Sequence, residues 1–192
     1  MTLQRGEDLV DQAVLPISKF DAARRQLETA VRLYFSHGDP VSIHTLASAA
    51  LQILTDLSQN LGTKPETLRG VLMQYIRKEH LDEIERKLAE SENFFKHADR
   101  DPAKTLEFAV GQSEIVLLDA IAIYAHLTSE QVPLFIVYRA WFLLEAGKEF
   151  AAKEEYEAVL RTLRADFKLS SRERFFSEML PVAASLGVQP SG

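Results

Sequence analysis

Apolar residues recur three and four positions apart along most of the chain, and no stretch alternates apolar with polar residues. Helix is then the regular structure that this pattern can bury. From Pro16 onward, Ile17, Phe20, Ala23, Leu27, Ala30, Val31 and Tyr34 share one helical face. Ile43, Leu46, Ala47, Ala50, Ile53, Leu54 and Leu57 repeat the pattern on a second. Between these stripes stands His37-Gly38-Asp39-Pro40, where glycine stops one helix, aspartate caps the next, and proline fits a first helical position that needs no amide hydrogen. Gly62 should end the second helix.

The same punctuation predicts a short third helix from Pro65 to Ile76 and a fourth from Leu81 to Ala98. A turn follows from Asp101-Pro102 to Phe108. Two very apolar helices come next, over Gln112 to Leu127 and from Ser129 to Gly147, then another over Glu149 to Phe167. Ser170 and Glu173 have capping-box spacing for a last helix that Pro181 should bend or break. The fold class is all-α, a bundle of seven or eight helices. Residues 1–15 are expected to be a flexible N-terminal segment, 16–187 a single helical domain with a subdivision near 100–111, and 188–192 a tail.

The chain has 192 residues, 46% hydrophobic, enough to bury a core without a disulfide or a metal. It has no cysteine, which removes thiolate zinc sites, iron–sulfur chemistry and a cysteine nucleophile. Against 28 acidic residues stand 22 Lys and Arg, a net charge of −6 that opposes general DNA binding, because phosphate contacts need clustered cations. Neither apolar run, Ile115 to Leu127 or Val132 to Leu144, reaches the about 18 continuous apolar residues of a membrane span, and the N-terminus lacks the apolar run of a signal peptide. The expected location is cytoplasmic.

Five histidines are the main carriers of chemistry. His37, His80, His97 and His126 fall near predicted helix C-termini, where an imidazole can bond the unsatisfied carbonyls. His44 instead lies in the opening turns of the second helix, where the positive end of the dipole favours a neutral ring able to act as base or ligand. His37, Asp39 and His44 form one close group and His97, Asp99 and Asp101 another. If the two groups met across helix ends, His37, Asp39, His44, His97 and Asp99 could supply nitrogen and oxygen ligands to a divalent metal. No cofactor is otherwise expected. Asp119 and Arg139 interrupt the two most apolar stretches and should form a buried pair linking neighbouring helices, since a buried charge needs a partner. Glu114 is a second acid in the same apolar run. The aromatic surplus of Phe135, Tyr138, Trp141, Phe142, Phe175 and Phe176 fits a large core or, failing that, a homodimer interface.

Glu92-Asn93-Phe94-Phe95-Lys96-His97 resembles the motif of the HEPN superfamily, small helical bundles of prokaryotic defence systems and RNA-processing proteins. In that family an Arg, commonly followed by Asn, precedes a His by four to six residues. Asn93 and His97 match, while Glu92 stands where the family uses its cation, which the resemblance implies would make a poor ribonuclease. Arg32 and His37 repeat the spacing without the Asn. The segment Ile17 to Leu54, with Asp39-Pro40-Val41-Ser42-Ile43-His44-Thr45-Leu46, also resembles a widespread bacterial helical family, a likeness that names no activity.

Two functional classes follow. The first is a non-catalytic interaction or small-ligand-binding module, HEPN-like in architecture, whose partner is an unidentified protein, a small molecule or a second copy of the chain. Its binding residues would be Arg32, His37, Asp39, Asn93, Lys96, Asp99 and Asp101. The second is a phosphodiesterase or ribonuclease, with or without metal, using His44 or His97 as acid–base and Arg32 or Lys96 on phosphate. Convergence of the two His-Asp segments on one mouth of the bundle would distinguish the site hypotheses from helix-end housekeeping.

Overall fold

The computed structural model describes residues 14–67, 70, 78–97, 99, 102–150 and 171–186. They contain six helices and no strand: α1 (Lys19–Phe35), α2 (Pro40–Asn60), α3 (Lys78–Phe94), α4 (Gln112–Thr128), α5 (Pro133–Phe150) and α6 (Arg172–Leu186). The class is all-α. The described residues hold six of the seven or eight helices expected. Most of the third helix predicted from Pro65 and of the helix predicted from Glu149 lies outside the described residues, as do 1–13 and 188–192.

Local chemistry sets the ends. The Ser18 hydroxyl accepts from the Asp21 amide at 3.0 Å while the Asp21 carboxylate accepts from the Ser18 amide at 3.1 Å, a reciprocal cap that starts α1 three residues later than Pro16 suggests. Asp39 caps α2 as expected, its carboxylate accepting from the Ser42 amide at 2.7 Å, with Pro40 in the first turn. At the end of α1 the Gly38 amide donates to the Leu33 carbonyl (2.7 Å) and the His37 amide to the Tyr34 carbonyl (3.3 Å). At the end of α2 the Thr63 and Gly62 amides repeat this with Ser58 and Gln59, both at 3.0 Å. Both ends are Schellman motifs. The residue with positive φ is Gly62 (68°) in one and His37 (53°) in the other.

Three predicted boundaries change. Helix α5 runs through Gly147 to Phe150, since an interior glycine costs a helix only about 1 kcal/mol. Helix α6 runs through Pro181 to Leu186, with Ala183 beyond the proline buried in the core. Its cap is Ser171 rather than Ser170, the Ser171 hydroxyl accepting from the Arg174 amide at 3.3 Å. His80 belongs to the opening turn of α3, not to a helix end before it. Of the turn predicted from Asp101 to Phe108, Asp101 lies outside the described residues, 102–103 form a turn and 104–109 carry no helix.

Helices α1, α2 and α4 pack on one another, α5 lies against α1 and α4, and α6 covers α5 and touches α1. One core cluster takes residues from all six, including Leu27, Leu54, Leu88, Leu117, Val137 and Phe175. Phe135, Tyr138, Trp141, Phe142 and Phe175 are buried within the single chain, and Phe176 packs partly buried against them, so the core absorbs the aromatic surplus. Among the described residues no helix is long and apolar enough to cross a membrane.

Candidate functional site

Among the described residues the two His-Asp segments approach where the His44 ring packs on Phe95, but no three of their His and Asp side chains gather. His44 is 1% exposed, its ring edge-on to Phe95 (5.6 Å) and Phe108 (5.1 Å). Ser113, also buried, brings its hydroxyl to 3.4 Å from Nδ1, and Nε2 has no hydrogen-bond partner among the described residues. Burial pushes the His44 imidazole below its ordinary value, so the ring is neutral at pH 7; nearby Glu92 opposes that shift and Lys96 reinforces it. Burial, rather than the helix start, lowers the ring, and the same burial walls it in.

The other nominated residues are dispersed. His97 lies beyond the end of α3 and is exposed, as are Asn93, Lys96 and Asp99. Helix α3 ends at Phe94, so Asn93 and His97 do not share a regular helical face; the Asn93 carbonyl accepts from the His97 amide at 3.0 Å in a closing turn. Glu92 holds the Lys96 ammonium at 2.6 Å, the local pair that its spacing allows. Asp39 is spent on its cap, Arg32 is exposed in the last turn of α1, and Asp101 lies outside the described residues. Among the described residues no three His, Asp or Glu side chains approach closely enough to hold a metal, so the set His37, Asp39, His44, His97 and Asp99 is not a metal centre. The buried pair is also corrected. Asp119 is fully buried but Arg139 is exposed, because Val137, Tyr138 and Trp141 take the inner face of α5 and turn Arg139 outward.

A different cluster forms where the end of α1, the first turn of α4, the middle of α5 and the start of α6 come together. Tyr34 donates from its hydroxyl to Glu114 Oε1 at 3.2 Å and accepts from Trp141 Nε1 at 3.1 Å. Tyr138 donates to the Glu114 backbone carbonyl at 3.0 Å. The Arg172 guanidinium carbon lies 4.6 Å above the centre of the Tyr34 ring. Arg172 also donates to His37 Nδ1, and His37 Nε2 faces the Glu173 carboxylate.

Rings surround this network. Tyr34 meets Tyr138 edge to face at 5.2 Å, Phe35 stacks on Phe176 at 4.6 Å, and Trp141 packs on Phe175 at 5.3 Å. Glu114 is half-buried, and desolvation pushes its carboxyl above the ordinary range; the Tyr34 hydroxyl and the Arg172 charge act against that rise, while Glu145 adds to it. Burial likewise raises Tyr34 and, more strongly, Tyr138, which therefore stay protonated donors. The junction thus combines a carboxyl group, two tyrosine hydroxyls that donate within it, a guanidinium and aromatic faces.

Of this cluster the sequence nominated only His37 as a binding residue. Glu114 was visible as an acid inside an apolar run and Trp141 as a surplus aromatic. Arg172 gave no signal, since only chain folding brings it 135 residues along the sequence to His37. No family model matches the sequence, and no curated protein or solved structure is significantly similar to it.

Proposed function

We propose that the chain is a non-catalytic helical module that binds a small polar group at the junction of Tyr34, Glu114, Trp141 and Arg172. The observation that carries this reading is Glu114: a carboxyl kept half-buried, against its own desolvation cost, that accepts from the Tyr34 hydroxyl and feels the charge of Arg172. A glutamine there would keep the acceptor for Tyr34 without that cost, so the charge has a use other than folding. His37 takes the left-handed backbone that ends α1, which costs a non-glycine residue about 1–2 kcal/mol, and its imidazole meets Arg172 and Glu173.

The hydrolytic reading needs His44 and His97 on one phosphate. His44 is enclosed by Phe95 and Phe108, whereas His97 is exposed beyond the end of α3, so no geometry favours it. The HEPN-like motif lends it no help, with Glu92 occupied by Lys96.

A thermal-shift screen of small polar compounds against the wild type and Glu114→Gln tests the binding reading. Compounds that raise the wild-type Tm and leave the variant unmoved are expected. A screen with no such compound, or with equal shifts in both proteins, removes it. Incubation with mixed single-stranded RNA is expected to give no cleavage above a His97→Ala control.

A further inference from the structure

The junction already holds a cation, and that cation belongs to the chain itself. Arg172 is the first residue of α6, where a positive charge meets the positive end of the helix dipole. The helix therefore gains nothing from an arginine at that position. Its side chain is held from across the interface, by the Tyr34 ring face at 4.6 Å, by His37 Nδ1, and by the field of Glu114. A ring face and an imidazole nitrogen acceptor, within the field of a carboxyl group, are what a guanidinium recognises, because its charge is permanent, its plane stacks and its donors point outward in a fixed fork.

Two features make this seat exchangeable. Arg172 occupies a helix terminus, the part of a helix that frays at least cost, and its side chain is only partly buried. The negative side of the junction also outlasts any one occupant. Glu114 sits on α4 and Glu145 on α5, so both stay in place if the α6 terminus lets go.

We propose that the α1–α4–α5 junction is a receptor for a guanidinium group, and that Arg172 occupies it as an internal ligand which an external arginine displaces. This assignment rests on the binding reading above and names its ligand class. External arginine competes with a tethered one, so the wild type binds weakly and a chain lacking Arg172 binds well.

Trp141 is the sole tryptophan and donates to Tyr34, so its fluorescence reports on the seat directly. The experiment titrates N-acetyl-arginine amide into the full-length wild type, Arg172→Ala and Arg172→Ala/Glu114→Gln, with N-acetyl-citrulline amide as the uncharged isostere. Arg172→Ala should bind the arginine probe at least tenfold more tightly than the wild type. Citrulline, or the added Glu114→Gln change, should lose at least tenfold of that. Free L-arginine and acetyl-Gly-Arg-Gly amide, run in parallel, separate a free amino acid from a peptide side chain as the source of the group.

No saturable Trp141 response in Arg172→Ala, or equal binding of citrulline, overturns the proposal. Should far-UV circular dichroism show that Arg172→Ala is not folded, Arg172→Lys replaces it, with at least threefold tighter probe binding than wild type expected and the same overturning results. Compounds from the thermal screen that require Glu114, together with no arginine binding, would sink the guanidinium assignment alone. Failure of both would sink the binding reading with it.

Discussion

Glu114 and His44 show how one residue's surroundings fix its chemistry, and each makes a testable demand on pH. The Glu114 carboxyl is raised in the fold above its unfolded value of 4.5. As pH rises from 4.5 through the raised folded value, the unfolded chain gives up its proton first, and the native state loses stability that it holds in full at lower pH. Glu114→Gln is therefore expected to melt higher than the wild type at pH 7, with the gap closing by pH 4. Melting curves at the two pH values decide it, and a constant gap would count against a desolvated carboxylate. His44 works in the opposite range. Its folded value lies below 6.5, so its contribution is complete above pH 6.5 and is lost as pH falls from there toward the depressed value, where the unfolded chain takes up a proton that the buried ring refuses. His44→Gln should flatten the fall in urea-derived stability between pH 7 and pH 5, whatever it does to the absolute value. The sequence placed His44 in the opening turns of α2, because that position is set locally. It could not show that Phe95 and Phe108, far along the chain, close over the ring.

At the scale of the helix, the two Schellman ends form a natural comparison. Gly62 lies in the left-handed region with open space around an added Cβ, so the cost of Gly62→Ala is conformational alone, about 1–2 kcal/mol. His37 occupies the equivalent position without glycine's freedom. His37→Gly should stabilise α1's end by up to about 1 kcal/mol, less whatever its exposed contacts with Arg172 and Glu173 contribute. Chemical denaturation of the pair checks both signs. A destabilised His37→Gly would mean that the α6 contacts outweigh the strain. Stops were readable wherever glycine, aspartate and proline cluster, as at 37–40 and 62. The role of each residue was less readable: Gly38 was expected to end α1, yet its neighbour His37 turns the chain, while a Cβ on Gly38 would come within 2.9 Å of the Leu33 side chain. Pro181 and Gly147 failed to interrupt their helices because tertiary packing outweighs a penalty of about 1–3 kcal/mol.

Across the molecule, stability concentrates where α4 meets its neighbours. Leu117 has no exposed surface, and Leu117→Ala is expected to cost about 2–5 kcal/mol in urea unfolding. Leu61→Ala, at a position 61% exposed, should stay within about 0.5 kcal/mol. Equal costs at the two sites would contradict the packing described. A second polar knot ties the segment after α4 to α1: Tyr124 and Arg24 both donate to Glu130, at 2.8 and 3.1 Å, and burial with the Glu130 carboxylate pushes Tyr124 to about 12. Such long-range ties separate what was legible from what was not. The sequence by itself determined the all-helical class, the capping of α2 by Asp39 and most helix positions, because apolar spacing and caps act within a few residues of one another. Only the tertiary structure decided that His44 is buried while His97 is exposed, that Asp119 is buried while Arg139 is exposed, and that Tyr34, Glu114, Trp141 and Arg172 share one junction. Those outcomes depend on which helix faces meet, and face meets face according to the shape of the whole packed core.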